Sequence, residues 1–218
     1  MVAASLAACS ETGNGSIDEA VTEEVARQTG ASPSTDTSPC EILDDELIGR
    51  HFDIAGVEIE RSPSRYSRHP LCTASWPKPN AAEIEERRAE QMADYTTRKM
   101  RGEDVEMPSF RTTNEVSLTI SEDAFESQEQ ARAAFDSAMR VMSEGMSVGT
   151  EAGSVETPRY ELEPVEGVGE KAMWAPELRQ LSVVTTDRIF HVGVQTDGDL
   201  DEELLKAKEI AREIAEVL

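Results

Sequence analysis

The sequence has no long apolar run and few aromatic residues. No stretch of about 18 consecutive apolar residues occurs, so no segment has the pattern of a membrane-spanning helix. Aromatic residues make up 5% of the chain and hydrophobic residues 38%, which predicts that part of the chain lies outside any core. The 218 residues are nevertheless enough for one domain with a substantial core.

Basic residues are also scarce. The chain has 21 lysines and arginines against 44 acidic residues, for a formal net charge of −23. Such an excess of negative charge repels phosphate backbones and anionic lipid headgroups. The composition therefore argues against nucleic acid as a partner.

Cysteine is rare, and the first of the three has a distinctive context. Leu6-Ala7-Ala8-Cys9 has the pattern of a bacterial lipobox, in which small residues admit a peptidase and the cysteine thiol takes a lipid. The alternative is an alanine-rich segment that contains a cysteine by chance. We interpret residues 1–9 as the remnant of a truncated signal peptide ending at the lipid attachment residue Cys9, which predicts anchoring in the cell envelope, outside the cytoplasmic membrane.

If Cys9 carries a lipid, Cys40 and Cys72 remain as an even pair. Disulfides persist in the oxidising compartments that exported proteins reach. The sequence therefore predicts a Cys40–Cys72 disulfide, with Trp76 close by. Residues 10–38, rich in Ser, Thr, Gly and Glu, are predicted to be a flexible acidic tether ahead of a single domain over residues 39–218.

The patterns within this domain predict an α+β fold. We expect a largely antiparallel sheet with helices packed on one face, plus a charged helical insertion over residues 80–112. The expected helices are 40–50 (ended by Gly49), 80–101 (capped by Asn80), one opened by Ser127, and a terminal helix capped by Asp199. The expected strands are 54–59, 72–76, 116–120, a segment within 160–174, and the hairpin 181–185 and 189–194. A basic loop, residues 61–69, contains Arg61, Arg65, Arg68 and His69.

No catalytic or metal-binding pattern is convincing. Gly145-Met146-Ser147-Val148-Gly149 matches the nucleophile-elbow motif, but it follows a helix and precedes an acidic loop, whereas that chemistry needs a strand before the turn. The three histidines have no metal-ligand spacing. Asp197-Gly198-Asp199 fits helix capping better than a calcium loop. We therefore predict no catalytic residues, no metal site and no cofactor.

Several scattered motifs resemble one family. Pro39-Cys40-Glu41-Ile42-Leu43, the second cysteine followed by Trp76, and the turn 167–172 (Gly-Val-Gly-Glu-Lys-Ala) resemble small actinobacterial cell-envelope lipoproteins whose domain has no assigned function. The resemblance implies an exported, lipid-anchored α+β domain, and it supplies no catalytic residues.

Three functional hypotheses follow. The favoured one is a non-catalytic envelope lipoprotein, tethered to the membrane by the lipid on Cys9, that binds an envelope protein or a small apolar ligand. The second is a hydrolase or transferase whose site is assembled from distant segments, such as Ser147 with His191 and an acid. The third is a structural or sensory domain that acts through protein contacts.

Overall fold

The computed structural model of the chain describes residues 38–108, 110–150 and 153–218. The helices within these ranges are α1 (Pro39–Ile42), α2 (Asp45–His51), α3 (Ala81–Met100), α4 (Gln128–Glu144) and α5 (Leu200–Val217). The strands are β1 (Glu60–Tyr66), β2 (His69–Pro77), β3 (Thr113–Ile120), β4 (Ser147–Thr150), β5 (Gly153–Glu156), β6 (Glu163–Val165), β7 (Lys171–Ala175), β8 (Gln180–Val184) and β9 (Ile189–Gln195). A 3-10 turn, Pro176–Leu178, joins β7 to β8. Cys9 and residues 10–37 of the expected tether lie outside the described residues.

Seven of the strands form one antiparallel sheet in the order β1-β2-β3-β9-β8-β7-β6, and β4 pairs with β5 in a separate hairpin. The predicted α+β class and antiparallel sheet are thus confirmed. The two edge strands each contain a proline, Pro63 in β1 and Pro164 in β6. Proline cannot donate to a further strand, so both edges resist pairing with another chain.

The larger part of the core lies between one face of the sheet and three helices. Side chains of β3, β7, β8 and β9 pack there against α1, α2 and α5, with Trp174, Phe190 and Ile210 almost fully buried. Successive strand residues point to opposite faces of a sheet. The intervening residues Met173 and Val184 accordingly pack with Phe135 of α4 on the other face.

The placement of α4 therefore differs from the expected arrangement with helices on one face. β7, β8 and β9 each carry an apolar residue on the second face, at Met173, Val184 and Ile189. These residues give α4 an apolar surface to cover, while α1, α2 and α5 share the first face as expected.

The Cys40–Cys72 disulfide is confirmed. The S–S distance is 1.98 Å, and the Cα–Cα distance of 5.1 Å lies within the range of ordinary disulfides. The bond joins α1 to β2, and Cys72 is completely buried. Trp76 is also buried and contacts the ring of Phe52, with ring centroids 5.0 Å apart.

The prediction of a single helix over residues 40–50 is wrong in detail. Two helices occur, with Leu43 between them in a non-helical conformation. The break has a local cause, because the Asp44 carboxylate accepts a hydrogen bond from the Leu47 amide at 2.7 Å and starts α2. Gly49 lies inside α2 and does not end it.

The prediction of a basic loop over residues 61–69 is also wrong, as is the strand over 54–59. The first strand begins later, at Glu60, and Arg61 and Arg65 lie within it. Only Ser67 and Arg68 form the turn before β2. Ser62, Pro63 and Ser64 have low strand propensity, and pairing with β2 overrides it.

The charged insertion is present as α3, in which none of the residues is buried. The predicted cap is wrong, because the Asn80 side chain makes no capping hydrogen bond. Ser127 and Asp199 do cap α4 and α5, by accepting hydrogen bonds from the amides of Gln130 and Glu202. Across the described part of the chain, no helix combines the length and apolar character that crossing a membrane requires.

Candidate functional site

A polar cleft of about 370 Å³ lies where four neighbouring strands end. The sheet order places the end of β2, the start of β3, the end of β9 and the start of β8 side by side. Three cationic side chains come together there from distant parts of the sequence, beside the loop that leads into α5. We call this feature the strand-end cleft; it is lined by Lys78, Arg111, Arg179, Gln195, Thr196, Asp197 and Gly198.

The backbone of Arg179 is unusual. Its φ angle is +51°, and among the described residues only Ser67, in the β1–β2 turn, is another non-glycine residue with positive φ. Two hydrogen bonds hold this conformation, from the Arg179 amide to the Pro176 carbonyl and from the Val194 amide to the Arg179 carbonyl, both at 3.1 Å. A side chain in this region costs about 1–3 kcal/mol, and such residues cluster at functional sites.

The side chain of Arg179 is anchored as well. Its Nη1 donates to both carboxylate oxygens of Glu203 at 2.7 Å, and Glu203 is completely buried in the first turns of α5. The Thr196 amide donates to the same carboxylate at 2.6 Å. The arginine itself is 39% exposed, so one side of it is fixed in the protein while the rest remains open to solvent.

The other two cations of the cleft have partly exposed carboxylates as partners. Lys78 is largely buried, and its Nζ lies 2.7 Å from a carboxylate oxygen of Asp197, whose side chain is about half exposed. Arg111 and Glu115 are both about one-third exposed, and the closest approach of their charged atoms is 3.6 Å, beyond hydrogen-bond distance. The cleft thus contains one cation anchored by a buried carboxylate and two whose carboxylate partners are partly exposed.

The two residues of the hypothetical hydrolase lie in different sheets. Ser147 is exposed in β4, in the two-stranded hairpin. His191 lies in β9 of the large sheet, where its Nδ1 is 2.9 Å from the hydroxyl oxygen of the cross-strand residue Ser182. Ser182 is 1% exposed, so a substrate has no access to this hydroxyl.

His191 has a strongly shifted pKa. Loss of solvation, with a smaller contribution from the nearby charge of His69, lowers the pKa from 6.5 to about 4. The unfolded chain therefore binds this proton more tightly than the folded protein. Stability due to His191 is fully present above pH 6.5 and is lost as the pH falls towards 4. A shift of this size corresponds to about 3 kcal/mol.

We therefore expect the free energy of unfolding of the wild type to fall more steeply between pH 7 and pH 4 than that of His191→Gln. Glutamine does not titrate, and it retains a polar group opposite Ser182. Urea denaturation at a series of pH values measures the difference, which we expect to approach about 3 kcal/mol at pH 4. Parallel profiles of unfolding free energy against pH for the two proteins would refute the lowered pKa of His191.

Three of the remaining residues singled out in the sequence, Arg61, Arg65 and His51, have partners elsewhere in the chain. Arg61 donates to the Leu43 carbonyl at 2.6 Å, and Arg65 pairs with Glu122. His51 lies 2.7 Å from a carboxylate oxygen of Glu213, which links α2 to α5. Within the described ranges, no group of three or more potential ligands is arranged to hold a metal ion.

A second cleft, of about 480 Å³, runs between α3 and the segment that follows it. Tyr95, Val105 and Pro108 contribute to its lining together with charged side chains of the helix. Arg98, which also lines this cleft, donates to Glu103 at 2.8 Å, but both side chains are well exposed, whereas the partner of Arg179 is buried. The strand-end cleft is therefore the better candidate site.

No motif in the sequence predicts the strand-end cleft. Lys78, Arg111 and Arg179 share no local motif, and the positive φ of Arg179 has no sequence signature. One signal was available in Glu203, which lies four residues before the buried Ala207 on the apolar face of α5. A charged residue on a buried face needs a partner, and this requirement alone indicates a polar contact at that end of the helix.

Comparison with known proteins does not identify the chain: no family model matches it, and neither a curated protein nor a solved structure matches it.

Proposed function

We propose that the protein is a lipid-anchored bacterial envelope domain that faces outward from the cytoplasmic membrane and binds a ligand without transforming it. The Cys40–Cys72 disulfide is the observation that carries this proposal. It indicates an oxidising compartment, because thiols stay reduced in most cytosolic proteins. The segment Leu6-Ala7-Ala8-Cys9 and the resemblance to envelope lipoproteins agree with this location.

The chemistry of the described residues favours binding over catalysis. His191 has a depressed pKa, as do many catalytic bases, but the serine beside it is buried. The strand-end cleft, in contrast, is open to solvent and has a cation held in place by a buried carboxylate. A preorganised polar group in a cleft reduces the entropy lost when a ligand binds.

The anchoring is tested by replacing Cys9 with serine. In bacteria supplied with a fatty-acid analogue, the wild-type protein is expected to incorporate the label and to partition into detergent, since the thiol is the attachment point. Cys9→Ser is expected to lose both properties completely. Incorporation of label into Cys9→Ser at the wild-type level would contradict lipid attachment at this residue.

A matched control separates the effect of the disulfide from the effect of the lipid anchor. Cys40→Ala/Cys72→Ala retains Cys9 and should still incorporate the label, provided that the protein is exported. In the exported wild type, the intact mass should be two hydrogens below that of the reduced protein. Free thiols at Cys40 and Cys72 in the exported protein would contradict the compartment that we propose.

A further inference from the structure

The strand-end cleft has the chemistry of an anion-binding site within a strongly acidic chain. Three of the 21 basic residues line it, and each has a carboxylate partner: Asp197 beside Lys78, Glu115 beside Arg111 and Glu203 beside Arg179. Over most of the surface, a net charge of −23 disfavours anions. A cleft lined by three cations is therefore a place on this chain where an anionic ligand can bind.

Arg179 offers unused donors to such a ligand. Its Nη1 is engaged by Glu203, and neither Nε nor Nη2 has a hydrogen-bond partner among residues 38–108, 110–150 and 153–218. Nε and Nη2 form one edge of the guanidinium, which can donate two parallel hydrogen bonds to a carboxylate. The buried carboxylate and the backbone bonds at φ +51° fix the position of this group before a ligand arrives.

The other side chains define the class of anion. Lys78 adds a second positive charge, and the half-exposed Asp197 can turn away from it when a ligand carboxylate takes its place. The carboxylates of Asp197 and Glu115 remain close, and they would repel a doubly charged phosphate more than a singly charged group. A volume of about 370 Å³ holds roughly a dozen water molecules, so the ligand is small.

We propose that the strand-end cleft binds the carboxylate group of a small organic acid, with Arg179 as the principal anchor and Lys78 and Arg111 as supporting cations. This inference deepens the proposed function, on which it rests for the view that the domain is a binding module. It concerns the folded domain alone and is independent of whether Cys9 carries a lipid.

The test is a titration of the full chain carrying Cys9→Ser, followed by NMR of the backbone amides. Acetate, succinate and inorganic phosphate are added separately, with sodium chloride adjusted to hold the ionic strength constant. Acetate and succinate are expected to produce saturable shifts at the amides of Gln195, Thr196 and Gly198. Tighter binding of phosphate than of either carboxylate would overturn the proposal of a carboxylate site. Chemical shifts that keep rising with ligand concentration, without saturation, would also overturn it.

Two variants locate the site. Arg111→Gln removes a partly exposed cation and is expected to raise the dissociation constant about tenfold, the effect of one charge-assisted hydrogen bond. Arg179→Lys keeps a positive charge for Glu203 but lacks the two-donor edge, and it is expected to abolish saturable binding. Wild-type affinity in a folded Arg179→Lys protein would overturn the proposal.

Arg132→Gln is the matched control. Arg132 lies on α4 and pairs at 3.2 Å with Glu170, and neither residue lines the cleft. Removal of this charge should leave the carboxylate affinity unchanged. If Arg132→Gln weakened binding as much as Arg111→Gln, the effect would be one of net charge, and the cleft would not be the site. Failure of lipid labelling at Cys9 would overturn the anchor and leave this titration unaffected.

Discussion

Replacing Arg179 by methionine is expected to lower the free energy of unfolding by about 3–5 kcal/mol. The reason lies in Glu203, which is completely buried and whose carboxylate oxygens both accept from the arginine. Methionine fills part of the same space but leaves a buried carboxylate with only the Thr196 amide and hydroxyl as partners. Urea denaturation, with the slope compared between variants, measures the loss.

Two further variants test whether the loss comes from the buried charge. Glu203→Gln removes the charge on the other partner and should cost less, about 1.5–3 kcal/mol, because Arg179 is 39% exposed and can be solvated. The double variant Arg179→Met/Glu203→Gln should therefore be more stable than Arg179→Met alone. The absence of such a rescue would contradict the role of the carboxylate.

Arg132→Met is the surface control for this experiment. Arg132 and Glu170 form an ion pair at 3.2 Å in which both side chains are well exposed. Pairs of this kind contribute about 0.2–1 kcal/mol, so the variant should lie within 1 kcal/mol of the wild type. A loss for Arg179→Met no larger than that for Arg132→Met would contradict the buried ion pair.

The elements that the sequence predicts well are those in which one physical pattern dominates. β3 alternates buried and half-buried residues along its whole length, as the apolar residues Val116, Leu118 and Ile120 predict. α5 follows a regular apolar spacing between an aspartate cap and its last residues, and it occurs as expected. In these segments, local propensity and burial favour the same structure.

The errors arise where distant contacts decide the structure. β1 contains Ser62, Pro63 and Ser64 and is mostly exposed, so nothing local predicts a strand. It forms because seven residue pairs align it with β2, whose buried face belongs to the core. Similarly, β4 and β5 pair with each other where the sequence predicts a loop. Strand pairing is a non-local interaction, and predictions made from short sequence segments do not detect it.

The candidate site was harder to predict than the fold. Its cations are separated by 33 and 68 positions in the sequence, and only the order of strands in the sheet brings them together. Arg179 also adopts a conformation that favours glycine, which no propensity rule assigns to arginine. Glu203 on the apolar face of α5 was the one residue whose position indicated a buried polar contact.

Loss of the Cys40–Cys72 disulfide is expected to lower the free energy of unfolding by about 3–4 kcal/mol. The bond closes a loop with a sequence separation of 32 residues, and its absence gives the unfolded chain more conformations. It also attaches α1, a helix of only four residues, to β2, the strand next to the β1 edge of the sheet. Urea denaturation with and without reductant measures the effect, once thiol titration shows that the bond is open.

The double variant Cys40→Ala/Cys72→Ala separates the cross-link from the packing around it. Cys72 is completely buried, so alanine removes a sulfur atom from the core and adds a cost that reduction of the wild type does not have. We therefore expect the variant to be somewhat less stable than the reduced wild type and to be insensitive to reductant. If fully reduced wild type were as stable as the oxidised protein, the disulfide would contribute nothing to the stability of the fold.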